Sequence, residues 1–262
     1  MSALAQLINS TRAAVEERKR SSDPAALVRA ERQRLKRDPI RPFRQALKAP
    51  GLSLIAEHKR RSPSAGTIRD GIALEHVISS YEAGGAAALS ILTEPTRFGG
   101  SLDDLRAARA VTRLPILRKD FVVDGFQLHE SLAAGADAVL LIVAALSADD
   151  LHALHTEATS LGLDALVEVH DREELELASA AGATLLGINN RNLSTLAVDI
   201  RNTFALLPHV PPGAAVVAES GFRRPEQLQQ LAAAGLDAVL IGEALMRSPD
   251  IEAACRKLFS LS

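Results

Sequence analysis

A chain of 262 residues, 47% of them hydrophobic, is long enough to bury one large core as a single domain spanning 1–262. Its net charge of −2 provides no field that would draw it to nucleic acid or a membrane surface, so an anionic ligand must be held by local groups. No apolar run reaches the roughly 18 residues of a membrane span, the first twenty residues lack the apolar stretch of a secretory signal, and the single Cys255 excludes an intrachain disulfide; a cytoplasmic location is expected.

Residues 1–50 read as a charged helical extension. One helix is predicted over 3–19, and a second over 24–36, opened by Asp23-Pro24 as N-cap and first-turn proline. Leu4, Leu7, Ile8 and Val15 form one apolar stripe, which is expected to pack on the body of the fold. Residues 51–262 form that body. Its first strand is LSLIAEHK at 52–59. A phrase of helix end, glycine and short apolar strand then recurs: EAGGAAALSIL at 82–92, AAGADAVLLI at 133–142, AAGATLLGI at 180–188 and AAGLDAVLIG at 233–242. Gly85, Gly135, Gly182 and Gly235 suit the left-handed position that ends a helix. The copies lie about 50 residues apart, and one βα unit needs only about 30, so another strand fits between each pair. Those strands are LPILRKDF at 114–121, DALVEVH at 164–170 and AAVVAES at 214–220. Helical patterns with apolar 3–4 spacing separate the strands, many opened by Ser or Asp. Eight similar units, with no GxGxxG after the first strand, favour a closed (β/α)8 TIM barrel with an N-terminal helical extension over an open doubly wound sheet.

In such a barrel the chemistry gathers at the carboxyl ends of the strands. Strand 1 ends in Glu57, His58, Lys59 and Arg60, followed by Ser62 and Ser64. Strand 2 ends in Thr93-Glu94, with Phe98 beyond, and strand 3 in Arg118, Lys119, Asp120 and Phe121. Strand 5 ends in Glu168 and His170, strand 6 in Asn189, Asn190 and Arg191, strand 7 in Glu219-Ser220-Gly221, and strand 8 in Gly242-Glu243. Strand 4 ends without a charge, in Leu140, Leu141 and Ile142. A single charge there is met by an ordinary ion pair, but so many on one rim point to a ligand, since bare charges are costly to bury. A lysine among carboxylates stays charged and can serve as an acid, whereas a carboxylate in an apolar pocket has its pKa raised; the sequence leaves open which effect wins at each position. Gly221, Gly242 and the Ser220 hydroxyl lie where this fold commonly holds phosphate, with the Glu243 side chain expected to point away. Strand alternation is expected to turn His58 and His170 away from Lys59 and Glu168. His152 and His155 share a helix face without a third ligand, and Cys255 reads as packing; no metal site is expected.

The strand-end phrases IAEHKRRSPSAG (55–66), LTEPTRFGGS (92–101), LPILRKDFVVDGFQLHE (114–130), GADAVLLI (135–142), LVEVHDREEL (166–175), GINNRNL (187–193), AESGF (218–222) and VLIGEALM (239–246) resemble the indole-3-glycerol-phosphate synthase family. Their order is kept from about Leu4 to Phe259. The resemblance implies ring closure of 1-(2-carboxyphenylamino)-1-deoxyribulose 5-phosphate to indole-3-glycerol phosphate, CO2 and water in tryptophan biosynthesis, with no cofactor. It also implies residue roles. Lys119 matches the lysine at the ketone oxygen, Lys59 a second lysine at the substrate carboxylate, Glu168 the general base and Glu57 a supporting carboxylate. Asn189, Arg191 and Glu219 match polar substrate-binding positions, and Phe98, Phe121 and Leu140 the apolar side that takes the anthranilate ring. Ser62, Ser220, Gly221, Gly242 and Glu243 match the phosphate region.

Five positions depart from the family's usual pattern: His58 for an apolar residue, Ala65 for a lysine, Gly125-Phe126 for Pro-Tyr, and Phe222 for Ile. None removes a group matched to catalysis. The rival readings are another phosphate-binding barrel enzyme such as phosphoribosylanthranilate isomerase, which would not need Lys119, and a silent sugar-phosphate binder. The expected partner is a small anionic substrate, with no nucleic acid and no membrane. No exposed face suggests an interface, and a monomer is carried as the expectation.

Overall fold

Period-two alternation in every strand sets this architecture, because it gives each strand one face for an interior and one for a covering layer. A computed structural model describes residues 3–259. Eight parallel strands close into a barrel: β1 (Ser53–His58), β2 (Ala88–Leu92), β3 (Ile116–Lys119), β4 (Ala138–Ile142), β5 (Asp164–Val169), β6 (Leu185–Asn189), β7 (Ala215–Glu219) and β8 (Ala238–Ile241). Each strand pairs with the next, and β8 pairs back onto β1 with Ser53 opposite Ala238. The interior is filled by Ile55, Ala88, Leu117, Ala138, Leu140, Leu166, Leu185, Val217 and Leu240. The opposite faces, among them Leu54, Leu89, Val139, Val167 and Val239, join the larger core beneath the helices.

The predicted punctuation is present. Ser101, Asp124, Ser147 and Asp171 each accept a backbone N–H in the first turn of the helix that follows. Gly85, Gly135, Gly182 and Gly235 all have φ between 84° and 101°, a region closed to most side chains. Two helices not separately marked in the sequence, Gly125–Ala134 and Arg201–Leu206, complete the alternation.

The extension forms α1 (Ala3–Ser21), α2 (Pro24–Arg37) and the short α3 (Phe43–Ala46). From α3 and its C-cap, Phe43 and Leu47 plug the amino end of the barrel, both fully buried. Just outside that plug lies Asp137, at 0% exposure. One of its carboxylate oxygens accepts from Arg34 Nη2 at 2.7 Å and Arg41 N at 3.0 Å, the other from Arg109 Nη1 at 2.8 Å and Ile116 N at 2.9 Å. The carboxylate thereby ties α2 to the feet of β3 and β4.

The stripe on α1 packs as expected: Leu7, Ile8 and Val15 are buried. Arg18 grips Glu130 through two hydrogen bonds, at 2.8 and 3.1 Å. Glu130 lies 3.6 Å from Arg118 Nη1, and Arg118 donates to Asp120 at 2.8 Å. A chain of charges thus runs from α1 to the carboxyl end of β3. Among the described residues, no helix is long and apolar enough to cross a membrane.

Candidate active site

At the carboxyl end of the barrel the inward positions change from apolar to polar. The change follows from register. Leu92 stands opposite Lys119, Ile142 opposite Glu168, and Asn189 opposite Glu219, while Glu57 lies beside Ser90. These positions share the parity of the interior residues below them, so their side chains enter the same space. One cavity is lined by Glu57, Lys59, Lys119, Glu168, Asn189 and Glu219. The predicted apolar residues Phe98, Phe121 and Leu140 line it too, as do Arg191 and the proposed phosphate residues Ser62, Ser220, Gly221, Gly242 and Glu243. Every residue predicted for the site therefore borders one space.

Lys119 is the hub. Its Nζ donates to Glu168 Oε2 at 2.9 Å and lies 3.5 Å from Glu219 Oε2. Burial works against its charge, but Glu168, Glu219 and Glu57 together outweigh burial and raise its pKa. The ammonium is therefore held protonated. Glu168 is buried, which favours its neutral form; Lys119, His170 and the amide of Asn189, 3.0 Å away, reverse that and hold it ionised. Glu219 is shifted the other way. Burial raises its pKa, and the neighbouring charges of Glu168 and Glu57 raise it further against the pull of Lys119. Its Oε1 is buried without a hydrogen-bond partner. Two carboxylates flanking one cation thus differ in proton affinity, which is how a site separates a base from an acid. Lys59 pairs with Glu57 at 2.6 Å as a second, distinct ion pair.

Two glycines make room for these carboxylates. A Cβ at Gly187 would overlap Glu219 Oε1, and one at Gly242 would overlap Glu57 Oε1. Ser220 and Gly221 both have positive φ, 63° and 94°, turning successive backbone groups of the loop after β7. Ser220 does so at a cost that glycine would not incur. The Glu243 side chain turns outward to Arg247, 3.1 Å away, leaving its backbone at the cavity.

Three sequence readings change. His170 is not turned from Glu168: its Nε2 lies 3.4 Å from Glu168 Oε1. Alternation over two residues returns a side chain to the same face, so the strand period itself carried the signal. Arg118, read among the rim charges, points out of the barrel. It is 2% exposed and donates to Thr93, Asp120, Gln127 O and Ser131. Asn190 likewise clamps the backbone at Glu219 and Ser220 and accepts from Thr203, outside the cavity lining. His58 points away as predicted and is nearly fully buried; desolvation, helped by Arg60 and opposed by Asp104 and Glu57, pushes its pKa down to about 4. Cys255 is buried packing.

Some lining residues escaped the sequence. Leu4 and Leu7 of α1 border the cavity together with Leu193 and Leu196 of the loop after β6. Nothing in strand spacing marks them, because they come from outside the strand ends. Glu94, read among the rim residues without a role, lines the cavity, and its carboxylate accepts from Thr96 N, Arg97 N and Phe98 N, fixing the short turn that carries Phe98. Among the described residues no three His, Cys, Asp or Glu side chains gather in a metal-binding group.

Solved structures of similar shape include 3-hexulose-6-phosphate synthase from Salmonella typhimurium (TM-score 0.62, 17% identity, 80% of this chain and 98% of that one) and thiamine phosphate pyrophosphorylase from Pyrococcus furiosus (TM-score 0.61, 18% identity, 83% and 96%). At such identities they speak for the barrel alone. Sequence relatives say more. Indole-3-glycerol phosphate synthase from a Nocardioides species is 54% identical over 222 residues, covering 85% of this chain and 84% of its own. That of a Parafrankia species is 52% identical over 255 residues (95% and 92%), and that of Azospirillum brasilense 46% over 260 (98% and 95%). The family profile of indole-3-glycerol phosphate synthase matches residues 4–258, and the chain belongs to that family.

Proposed function

We propose that the cavity at the carboxyl end of the barrel closes the indole ring, with Lys119 as the acid at the ketone oxygen and Glu168 as the base. As a member of its family the chain is a carboxy-lyase of tryptophan biosynthesis, acting on a small phosphorylated substrate. In 1-(2-carboxyphenylamino)-1-deoxyribulose 5-phosphate, the aryl carbon that bears the carboxylate attacks the ketone carbon. Negative charge develops on the ketone oxygen. Lys119, held charged by the surrounding carboxylates against the effect of burial, stabilises that oxygen and protonates it. Loss of CO2 takes the carboxylate from the ring carbon. Loss of water then removes the new hydroxyl, with Lys59 of the Lys59–Glu57 pair as its acid. Glu168 takes the last ring proton and the indole becomes aromatic.

The polar rim at Asn189, Arg191 and Glu219 receives the hydroxyls of the chain, and Phe98, Phe121 and Leu140 receive the anthranilate ring. Ser62, Ser220, Gly221, Gly242 and the backbone of Glu243 receive the phosphate. The same proposal takes the chain as one domain, a monomer and a cytoplasmic enzyme; sedimentation at micromolar concentration tests the second.

The observation that carries this reading is the sharing of one cavity by two lysines in separate ion pairs and carboxylates of opposite shift. Its test is indole fluorescence during incubation with the carboxyphenylamino-deoxyribulose phosphate in EDTA. Signal should grow with wild type and be nearly abolished in Lys119→Ala. No signal from folded wild type would move the reading to an isomerase or a silent binder.

A further inference from the structure

Glu168 faces two cationic side chains but is hydrogen-bonded to only one. Its Oε2 accepts from Lys119 Nζ at 2.9 Å. Its Oε1 accepts from Asn189 at 3.0 Å and lies 3.4 Å from His170 Nε2, which is buried and makes no hydrogen bond. An unsatisfied buried N–H beside a carboxylate is rare and costly, and a small turn of either group would close the gap.

The imidazole is braced from behind. Its Nδ1 lies 2.9 Å from Glu174 Oε2, and the same oxygen accepts the backbone N–H of His170 at 2.7 Å. Asn202 donates to His170 O at 2.9 Å. With a carboxylate at each nitrogen, both nitrogens act as donors and the ring carries a charge. Burial opposes that charge, but Glu168 and Glu174 outweigh burial and raise the pKa to about 10. The other groups around the imidazole add no further counter-charge at either nitrogen. From β6 comes the neutral Asn189; from the following helix, Asp171 is turned to Glu174 N; beyond Glu168 stands Lys119, with Glu219 and Glu57 past it.

We propose that His170, braced by Glu174, is a positioning residue that keeps Glu168 ionised and in place when Lys119 turns to the substrate. This rests on the assignment of Glu168 as base and Lys119 as acid. When Lys119 gives its proton to the ketone oxygen it becomes a neutral amine, and Glu168 loses its main counter-charge. A buried carboxylate left alone would take a proton and cease to be a base. The nearby imidazolium replaces the lost charge and completes its own unmade hydrogen bond. No proton leaves His170 in this sequence; Glu168 remains the group that receives one.

The test compares wild type, His170→Leu, His170→Gln and Glu174→Gln. Wild-type turnover checks the underlying reading independently. In His170→Leu, kcat should fall about tenfold with KM within twofold, and the acidic limb of the kcat profile should move up by about one pH unit, since losing a cation raises the pKa of Glu168. His170→Gln, which keeps an N–H donor without charge, should recover part of kcat but not the limb. In wild type, the His170 imidazole followed by NMR should remain protonated above pH 8, and Glu174→Gln should lower its titration. The proposal is overturned if kcat and the limb are unchanged in folded His170→Leu, if KM alone rises, or if the wild-type imidazole titrates near 6.5. Should His170→Leu fail to fold, the NMR titration and Glu174→Gln decide alone.

Discussion

The two ends of the barrel both bury charge, but they finish it differently. At the amino end, Asp137 is fully enclosed, and each of its oxygens meets an arginine and a backbone N–H. At the carboxyl end, Lys119 keeps 15% of its side chain exposed toward the cavity, Glu219 Oε1 has no hydrogen bond where each Asp137 oxygen has two, and the carboxylates differ in proton affinity; the atoms without a hydrogen bond around Asp137 are instead the Nε atoms of Arg34 and Arg109. A closed network locks elements together, whereas an open one retains binding capacity for something that arrives later. The contrast separates structural from chemical charge better than burial does, since both sets are buried.

The sharpest way to break the comparison is to remove one charge from each end. Lys119→Ala should lower kcat by a thousandfold or more, roughly 4 kcal/mol of transition-state stabilisation, with little change in melting temperature. A variant that melts much earlier would make Lys119 a structural group. Asp137→Ala should do the reverse: a loss of about 3–5 kcal/mol in urea unfolding, with kcat per folded molecule unchanged. Reduced kcat in that variant would show that the ends are coupled.

The pH dependence of stability sharpens the same line. His58 is buried neutral, with its pKa depressed to about 4, so the unfolded chain binds its extra proton between pH 6.5 and 4. Its contribution is fully present above pH 6.5 and lost as the pH falls through that window. The stability difference between wild type and His58→Leu should change by up to roughly 3 kcal/mol from pH 7 to 4. A flat difference would mean that the imidazole is hydrated. A smaller effect is expected from Gly242→Ala, whose Cβ must displace the Glu57 carboxylate. We expect kcat/KM to fall about tenfold with stability nearly kept; full activity would remove Glu57 from the chemistry. The smallest effect is that of Ala65→Lys, which restores a cation beside the proposed phosphate site and should lower KM about two- to threefold. An unchanged KM would place that loop charge outside the reach of substrate.

Much of this was readable in the residues. The glycine-strand phrase marked four strands directly and its spacing located three more, because a helix end that needs positive φ and a buried parallel strand both leave strong local marks; the first strand showed as an apolar run before the first copy. The polar strand ends marked the cavity face for a similar reason: Glu57, Lys119, Glu168 and Glu219 interrupt apolar runs. What escaped lies across strands or outside them. Arg118 and Lys119 are adjacent in sequence, and only sheet geometry decides that one faces helices and the other the cavity. His170 lies two residues beyond Glu168, and strand alternation puts both on one face. Leu4, Leu7, Leu193 and Leu196 come from segments whose docking depends on tertiary contacts that no local period records.

The charge chain from Arg18 through Glu130 and Arg118 to Asp120 has a consequence for heat. A helix docked on the outside of a closed barrel can open locally at lower free energy than the barrel itself. When α1 lifts, Leu4 and Leu7 leave the cavity wall, and Glu130 loses the arginine that offsets it beside β3. Catalysis is therefore expected to fade at temperatures where the barrel's circular dichroism is still intact, an outcome that would make the nineteen-residue helix α1, rather than the most stable part of the fold, the limit of the working range.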